Sequence, residues 1–595
     1  MSNKPENILV CVAWPYASAD IHQGNVTGSY LPADIYARYH RLVGNNVLMV
    51  SGSDSHGTPV TVKAEEEGKS PRDLFEYYHQ RFLDIFQRMG LSYDLFTHTD
   101  TENHHSVSQD LFLALKDNGF MFRKVTKQMY SPASNRFLPD RYVEGTCPVC
   151  GYLRARGDQC DNCNTLFQSA AELVNPRSKL DDTALELRDT EHFFLDLEKL
   201  ADEGLAEWIQ TEKEHWRPQV LNFARNLIVN EGLIGRAISR DMDWGVPVPV
   251  KGWENKVLYV WFEAVIGYLS ATIEWAKNND MPQSWKQWWY DSDAKTVYFV
   301  GKDNIPFHAI IWPAQLLGLK RIYEDDPDKL INLPYDVPAN EFMNMEGRKI
   351  SGSMNWGVWM VDALERHDPD PLRYYLTAAM PETRDSDWSW DGYVERNNKE
   401  LVATWGNLVN RVLSMTRRYF DGVVPEPGPL TGADRELIAQ IDGGFATVGA
   451  LYDACKFRAA LQETMNLATQ GNQYLEETSP WSAIKTDRAA AARSLYTALQ
   501  AISGLKTLFA PVLPFTSQRT HKFLGLAGEM FGRQFVETYQ EAERSHIALS
   551  YDGSDAIGSW QRDEIPPGHK LPQPEPLFRK LDESVAEEEL ARLGR

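Results

Sequence analysis

Cys147-x2-Cys150, a nine-residue gap and Cys160-x2-Cys163 present four thiols as two close pairs. Paired knuckles of this kind suit a tetrahedral Zn²⁺ held by four sulfurs at about 2.3 Å. Gly151, Gly157 and Asp158 supply the turns, and four protein ligands leave no open position, so the expected ion is structural. Free thiols or a disulfide pair are the alternative. A second set of reactive side chains follows Pro15-Tyr16 as His22-Gln23-Gly24-Asn25. A helix starting near Gly24 aims backbone N–H groups and a positive dipole end at a phosphate. His22 and Asn25 are then placed to donate to an α-phosphate whose charge rises under attack. A polar loop that merely caps a helix is the plain alternative. Far downstream lies Lys349-Ile350-Ser351-Gly352-Ser353. Each of the last two segments alone is a weak pattern.

These groups need elements to position them. Ile8–Ala13 is an apolar run of strand length, and the amphipathic stretch after Asn25 ends at Gly44. Across 1–118, strand-like runs (Ile8–Ala13, Asn46–Val50) alternate with helical stretches such as Leu74–Met89, which predicts an α/β domain with a parallel sheet. Residues 119–230 change texture to turns, the cysteine cluster and acidic helical segments. Strand-like runs return at Val257–Trp261 and Thr296–Val300. The expected architecture is a Rossmann-like, doubly wound parallel sheet with halves at 1–118 and 231–330, split by a zinc-binding insertion. After a region 331–397 that carries the lysine loop, residues 398–535 read as an α-helical bundle. Residues 536–595, polar and Pro-containing, read as a tail packed on the surface or partly flexible.

The 595 residues are 43% hydrophobic and 24% charged, as in globular proteins, with room for several domains. Lys+Arg 61 against Asp+Glu 83 gives a net charge of −22, which argues against non-specific nucleic-acid binding and demands a local basic stripe for any RNA partner. The N-terminal segment lacks the pattern of a signal peptide, and no apolar run approaches the roughly 20 residues of a membrane span. With four of six cysteines in one short segment, a reducing cytoplasmic location is expected. Cys11 and Cys455 are expected in the core.

Taken in order, these segments resemble the two ATP-handling signatures of class I aminoacyl-tRNA synthetases. The chain is similar to the methionyl-tRNA synthetase family over nearly its whole length. The matching pieces are AWPYASADIHQGN from Ala13, GSDSHGTPV from Gly52, CPVCG and RARGDQCDNC around the cysteines, and SRDMDWGVPVP from Ser239. They continue with YVWFEAVIGY from Tyr259, VGKDNIPFHAIIWP from Val300, RKISGS from Arg348, WGNLVNR from Trp405 and SPWSAIK from Ser479. The resemblance implies a methionine pocket lined by Ala13, Trp14, Tyr16, Trp261, Val265, Tyr268, Phe307, His308 and Trp312, with Asp54 and Arg240 near the ammonium and reacting groups. Aromatic walls grip a thioether through sulfur–ring contacts of up to about 1.5 kcal/mol, and Tyr268 and His308 are expected to donate to the sulfur. Trp14 and Val265 differ from the family's usual leucine or isoleucine and proline. Gly24, Gly301, Asp303, Lys349 and Ser351 match ATP-binding positions, and His22, Asn25 and Lys349 carry the catalytic role. Where the family has a second lysine this chain has Gly352. Compensation by Arg348, a different loop path, or slower activation would each account for that difference.

In the helix covering about 398–419, a 100° wheel puts Leu401, Trp405, Leu408, Val409 and Val412 on one face and Asn407, Arg411 and Arg418 on the other. An Asn–Arg pair one turn apart suits an unstacked base, and Trp481 offers a stacking surface. By resemblance Asn407, Arg411 and Trp481 match the positions that read the anticodon. The implied activity is methionine–tRNA ligation from ATP with Mg²⁺, with tRNA(Met) as partner and a monomer as the expected state. Synthetases for branched amino acids carry a much larger insertion, and the cysteine enzyme holds zinc elsewhere. A non-catalytic RNA binder and a small-molecule nucleotidyltransferase are the rivals of other classes.

Overall fold

The computed structural model describes residues 4–139, 142–157, 160, 162–163, 165, 167, 170–211 and 213–594. Asp158, expected in a knuckle turn, lies outside them. Four strands form the parallel centre: β1 (Asn7–Val12), β2 (Asn46–Ser53), β3 (Leu95–His98) and β4 (Lys295–Phe299), in the order β4-β1-β2-β3. Val10 lies opposite Val297 on one side and Met49 on the other. The strands read as continuous apolar runs because both faces are covered. Ile8, Val10 and Val12 enter one core, while Leu9, Cys11 and Ala13 enter the other. Strand order reverses between β1 and β4, so a crevice opens at their carboxyl ends, where open α/β sheets bind ligands.

Two expectations fail here. Residues 536–595 are not a surface tail throughout. Two antiparallel strands, β5 (Arg533–Gln540) and β6 (Ser545–Asp552), extend the central sheet, and β6 pairs with β3 through Leu549 opposite Phe96. Fully buried Ala548 and Leu549 fix that strand in the core. The bundle's last helix, Pro514–Phe523, therefore ends before residue 535. Nor is Val257–Trp261 a strand of the sheet. Only Val257–Leu258 is extended, paired with Ser239–Arg240, and a helix begins at Val260.

Residues 119–230 form a separate lobe. Met121–Ser131 pairs along its length with Glu186–Leu195, and Val143–Thr146 carries the cysteine-bearing end in a three-stranded sheet. The bundle is built from the helical run 397–420 and helices Gly432–Asp453, Phe457–Thr478 and Arg488–Phe509. Thr431 and Asp434 close a reciprocal capping box at the start of the second of these. The expected stripe is inside: Leu401, Trp405, Leu408, Val409 and Val412 are all buried. No helix among the described residues is long and apolar enough to cross a membrane.

Candidate active site

The helical run 23–43 begins beside the carboxyl end of β1, and His22 is its N-cap. His22 Nδ1 accepts from the backbone N–H of Gly24 (3.1 Å) and Asn25 (3.4 Å), and Asn25 Oδ1 accepts from the His22 N–H (3.1 Å). The cap fixes the tautomer: with Nδ1 accepting, the ring proton sits on Nε2. Burial pushes the imidazole down to about 4, so it is a neutral donor near pH 7. This corrects one expectation. The Gly24 and Asn25 N–H groups are engaged by the cap, so an anion meets the imidazole N–H and the helix dipole instead of those two backbone donors.

The lysine loop closes over this cap. A Cβ on Gly24 would lie 2.8 Å from Ile350 Cδ1, the free end of that side chain, so the two motifs touch here and a larger residue would push Ile350 aside. Gln23 N–H donates to the Val358 carbonyl (3.0 Å), and the His22 ring meets Trp359 edge-on at 5.6 Å. Lys349 is exposed, and its positive charge acts on Asp303 and Asp385. Partial burial raises the Asp303 carboxyl, with Lys302 and Lys349 pulling against it. Ser351 pairs its backbone with Trp356, and its hydroxyl lies 3.3 Å from Ser353. Above Gly301 no atom would meet a Cβ within 4 Å, which leaves an open cradle at the end of β4. Gly352 settles one of its three explanations. It is not in the left-handed region, and a Cβ there would meet only Trp359 at 3.8 Å, so no special loop path requires glycine.

On the other side of β1 lie the aromatic residues. Trp261 stacks on Phe307 (4.1 Å, 14°) and takes the Tyr16 ring on edge (5.8 Å, 88°). Trp14 is wedged between β2 and the helix that follows Val265. Side chains at Gly52 or Gly267 would come within 2.1 and 2.6 Å of its ring. Ala13 and Val265 are buried beside it. Trp312 is fully buried, with its indole N–H on Tyr298 (2.9 Å). The expected sulfur donors satisfy each other. His308 Nδ1 donates to the Asn304 carbonyl (2.9 Å), so its Nε2 accepts from the Tyr268 hydroxyl at 2.7 Å. Burial lowers His308 to about 4, leaving the neutral ring no proton to spare. Tyr268 can reach a sulfur only by turning its hydroxyl away from His308.

Asp54 is 2% exposed and sits across a backbone bridge from Tyr16. Burial and the neighbouring Glu263 raise its carboxyl, while His56 opposes them. A cationic group placed beside it would favour the ionised carboxylate. Arg240 donates to the carbonyls of Ala237 and Ser239 and lies 3.6 Å over Tyr259. A cavity of about 490 Å³, lined by Tyr16, His56, Arg240, Tyr259 and Trp261, opens between the sheet and the insertion lobe. His56, Asp100 and His105 also place three ligand atoms within 4.8 Å. Asp100 already binds Arg72 (2.8 Å) and Arg544 (3.0 Å), so this is an ion cluster and not a cation site.

In the insertion lobe, Cys147 and Cys163 approach to 3.8 Å and Cys150 and Cys160 to 3.6 Å, with all four sulfurs within 4.8 Å. A tetrahedron with bonds of about 2.3 Å has edges of about 3.8 Å, so the set fits one four-thiolate ion. Gly151 takes the left-handed turn (φ 74°) that closes the first knuckle.

Comparison with known proteins places the chain in a family. The family described as tRNA synthetases class I (M) matches residues 8–413, and the anticodon binding domain of methionyl tRNA ligase matches 424–548. A methionine–tRNA ligase of Thermomicrobium roseum is 53% identical over 99% of both chains, and one from Roseiflexus sp. is 52% identical over 99% of both. Methionyl-tRNA synthetase of Mycobacterium tuberculosis in complex with methionyl-adenylate superposes with a TM-score of 0.74, at 26% identity over 97% of this chain and 100% of that one. The chain belongs to the methionyl-tRNA synthetase family.

In this synthetase the helical arm brings Arg411 and Trp481 together from separate helices: the guanidinium lies 4.6 Å above the indole. Glu476 holds Arg411 Nη1 at 2.9 Å. Asn407 is half-buried one turn away, whereas Arg418 sits further along over Tyr419. Sequence reading missed Glu476, and it missed Trp359 beside His22. It also missed Lys302, which binds Glu341 and Asp385 (2.8 Å each) next to Asp303. Glu476 lies 65 positions from Arg411, on another helix, so no local spacing signalled it. Trp359 and Lys302 likewise meet their neighbours only through folding.

Proposed function

We infer that the protein activates methionine with ATP and transfers it to the 3′ end of tRNA(Met). The contact of Gly24 with Ile350, beside an aromatic pocket with a buried carboxylate, carries this reading. The α-ammonium of methionine rests on Asp54, and its thioether lies among Trp261, Phe307 and Tyr268. Its carboxylate attacks the α-phosphorus of Mg²⁺–ATP. The new O–P bond forms as the bond to the β-phosphate breaks, giving methionyl-adenylate and pyrophosphate. His22 donates Nε2–H to a non-bridging oxygen, Asn25 orders that cap, and Lys349 with Arg348 neutralises the departing pyrophosphate. Gly301, Asp303 and Ser351 seat the nucleotide. The 2′- or 3′-hydroxyl of the tRNA terminal adenosine then attacks the methionyl carbonyl and AMP leaves.

Asn407, Arg411 and Trp481 contact the anticodon, with a base stacking on the indole. The four cysteines hold one structural Zn²⁺. Both substrate sites lie within one chain, which supports a monomer, and the translation-enzyme relatives support the cytoplasm. Amino-acid-dependent exchange of pyrophosphate into ATP tests the reading. Methionine alone among the proteinogenic amino acids should sustain efficient exchange. Exchange driven by another amino acid, or by none, overturns it.

A further inference from the structure

The lysine loop is fastened from behind by a segment that no motif marked. Glu589, in helix Ser584–Leu590, receives both prongs of the Arg366 guanidinium (Nε to Oε1 2.5 Å, Nη2 to Oε2 2.7 Å) and lies 3.3 Å from His367 Nε2. Its side chain is 5% exposed, so this is a shielded, two-pronged ionic contact. Burial works to raise the Glu589 carboxyl, but its bonds to His367 and Arg366 hold it at about 2. A few residues on, the Gly594 N–H donates to the Asn355 carbonyl (3.0 Å), and the Asn355 amide donates to the Arg592 carbonyl (3.4 Å).

The segment 355–367 is thus gripped at both ends, and its front face meets the ATP-side cap. Trp359, whose ring meets His22, donates its indole N–H to Asn355 Oδ1 (2.7 Å). Met360 N–H donates to the Ile21 carbonyl (2.9 Å). The lysine loop hangs from this segment through the double backbone pair of Ser351 with Trp356 (2.9 Å each way). Ser351, Gly352 and Ser353 have little side chain to hold themselves in place, and ordering such a stretch has an entropic cost.

We propose that Glu589 is a positioning residue for methionine activation: the brace 584–594 holds segment 355–367 against His22, so that Lys349 is presented to ATP before ATP arrives. This rests on the assignment of Lys349 to the departing pyrophosphate. The brace lowers the ordering cost of the ATP step, and its bonds to Arg366, His367 and Asn355 fall on the lysine-loop segment, so its loss acts on ATP selectively.

The test uses the full chain carrying E589Q, R366M or both. Each single variant should raise KM for ATP in methionine-dependent exchange by roughly tenfold, the share lost with a charge-assisted hydrogen bond, and leave KM for methionine unchanged. The double variant should be no worse than E589Q alone, because E589Q already breaks the Arg366 contact, together with the bond to His367. Amide exchange over 349–359 should accelerate in all three. Unchanged KM for ATP, additive losses, or KM values for ATP and methionine rising together with a lowered melting midpoint would overturn the proposal. If the parent protein lacks methionine-dependent exchange, the functional reading fails, and the amide-exchange comparison still decides whether the brace holds the loop.

Discussion

His22 serves two ends with its two nitrogens, and a substitution can separate them. Asparagine is a good N-cap, so H22N should keep the helix start while losing the Nε2–H donor. We expect kcat for methionine-dependent exchange to fall by about 10²–10³ with the melting midpoint little changed, as for loss of one preorganised donor. H22A should lose the cap as well, at a cost of about 1 kcal/mol of stability. An H22N enzyme with full kcat would remove the imidazole from the chemistry. Gly352 invites the opposite experiment. A side chain fits there, so G352K should fold normally and speed exchange, by up to about tenfold, through a second cation near the pyrophosphate. Steady-state kinetics decides it, and a slower G352K enzyme contradicts the assigned geometry. The residue types gathered at the candidate site were legible in the sequence. What was not legible was where each proton goes. The cap claims His22 Nδ1, and Tyr268, forty positions before His308, claims its Nε2. Only the folded neighbours set those tautomers.

Among elements, the knuckle and the helical arm were read from spacing and periodicity, because their partners are close in sequence. Strand β6 was not, since its partner β3 lies more than four hundred residues upstream and its sequence alternates only weakly. Val257–Trp261 misled because an apolar run of strand length also suits a short strand turning into a buried helix. The knuckle's own core is small, centred on Leu138, Tyr142, Val143, Ala155 and Leu173, so its order should depend on the metal. Elemental analysis should find about one zinc per chain. Chelation or C160S should loosen 142–178 in amide exchange and leave β1 to β4 protected. Equal protection with and without metal would refute a structural role. For the arm, W481A should weaken tRNA binding by about 1–3 kcal/mol, the worth of one stacked base. Methionine-dependent exchange should be unaffected, because Trp481 lies in a helix remote in sequence from the sheet that carries the candidate active site. Equal losses in both assays would place Trp481 outside the anticodon contact.

At the scale of the whole molecule, buried charge joins the parts. Arg373, fully buried, binds Asp34 (2.6 Å) on the helical run that starts at His22 and the carbonyls of Met89, Pro511 and Val512. It therefore ties the catalytic sheet to the bundle. His546 does the same for strand β6, bonding Glu274 at 2.9 Å. Burial works against its protonation, but the carboxylates of Glu274 and Glu541 push it up to about 9. His56 is likewise raised, to about 10, by Glu263 and Asp100 against burial. A raised pKa contributes stability that is fully present below 6.5, the unfolded value, and is lost as pH climbs through 9 to 10. His22, His79 and His308 behave in the reverse sense. Burial lowers each to about 4, so below 6.5 the unfolded chain takes up protons that the fold refuses, and stability falls from pH 6.5 toward 4. The histidine contribution should therefore peak near pH 6.5 and decline on both sides. Melting midpoints measured from pH 5 to 10 check this, and H546Q should flatten the limb between pH 6.5 and 9 with only a lesser easing of the acid limb, since the His546 charge also helps to lower His79. If H546Q leaves the alkaline limb as steep as in the parent protein, the joint between strand β6 and the catalytic sheet is not held by an ionised histidine.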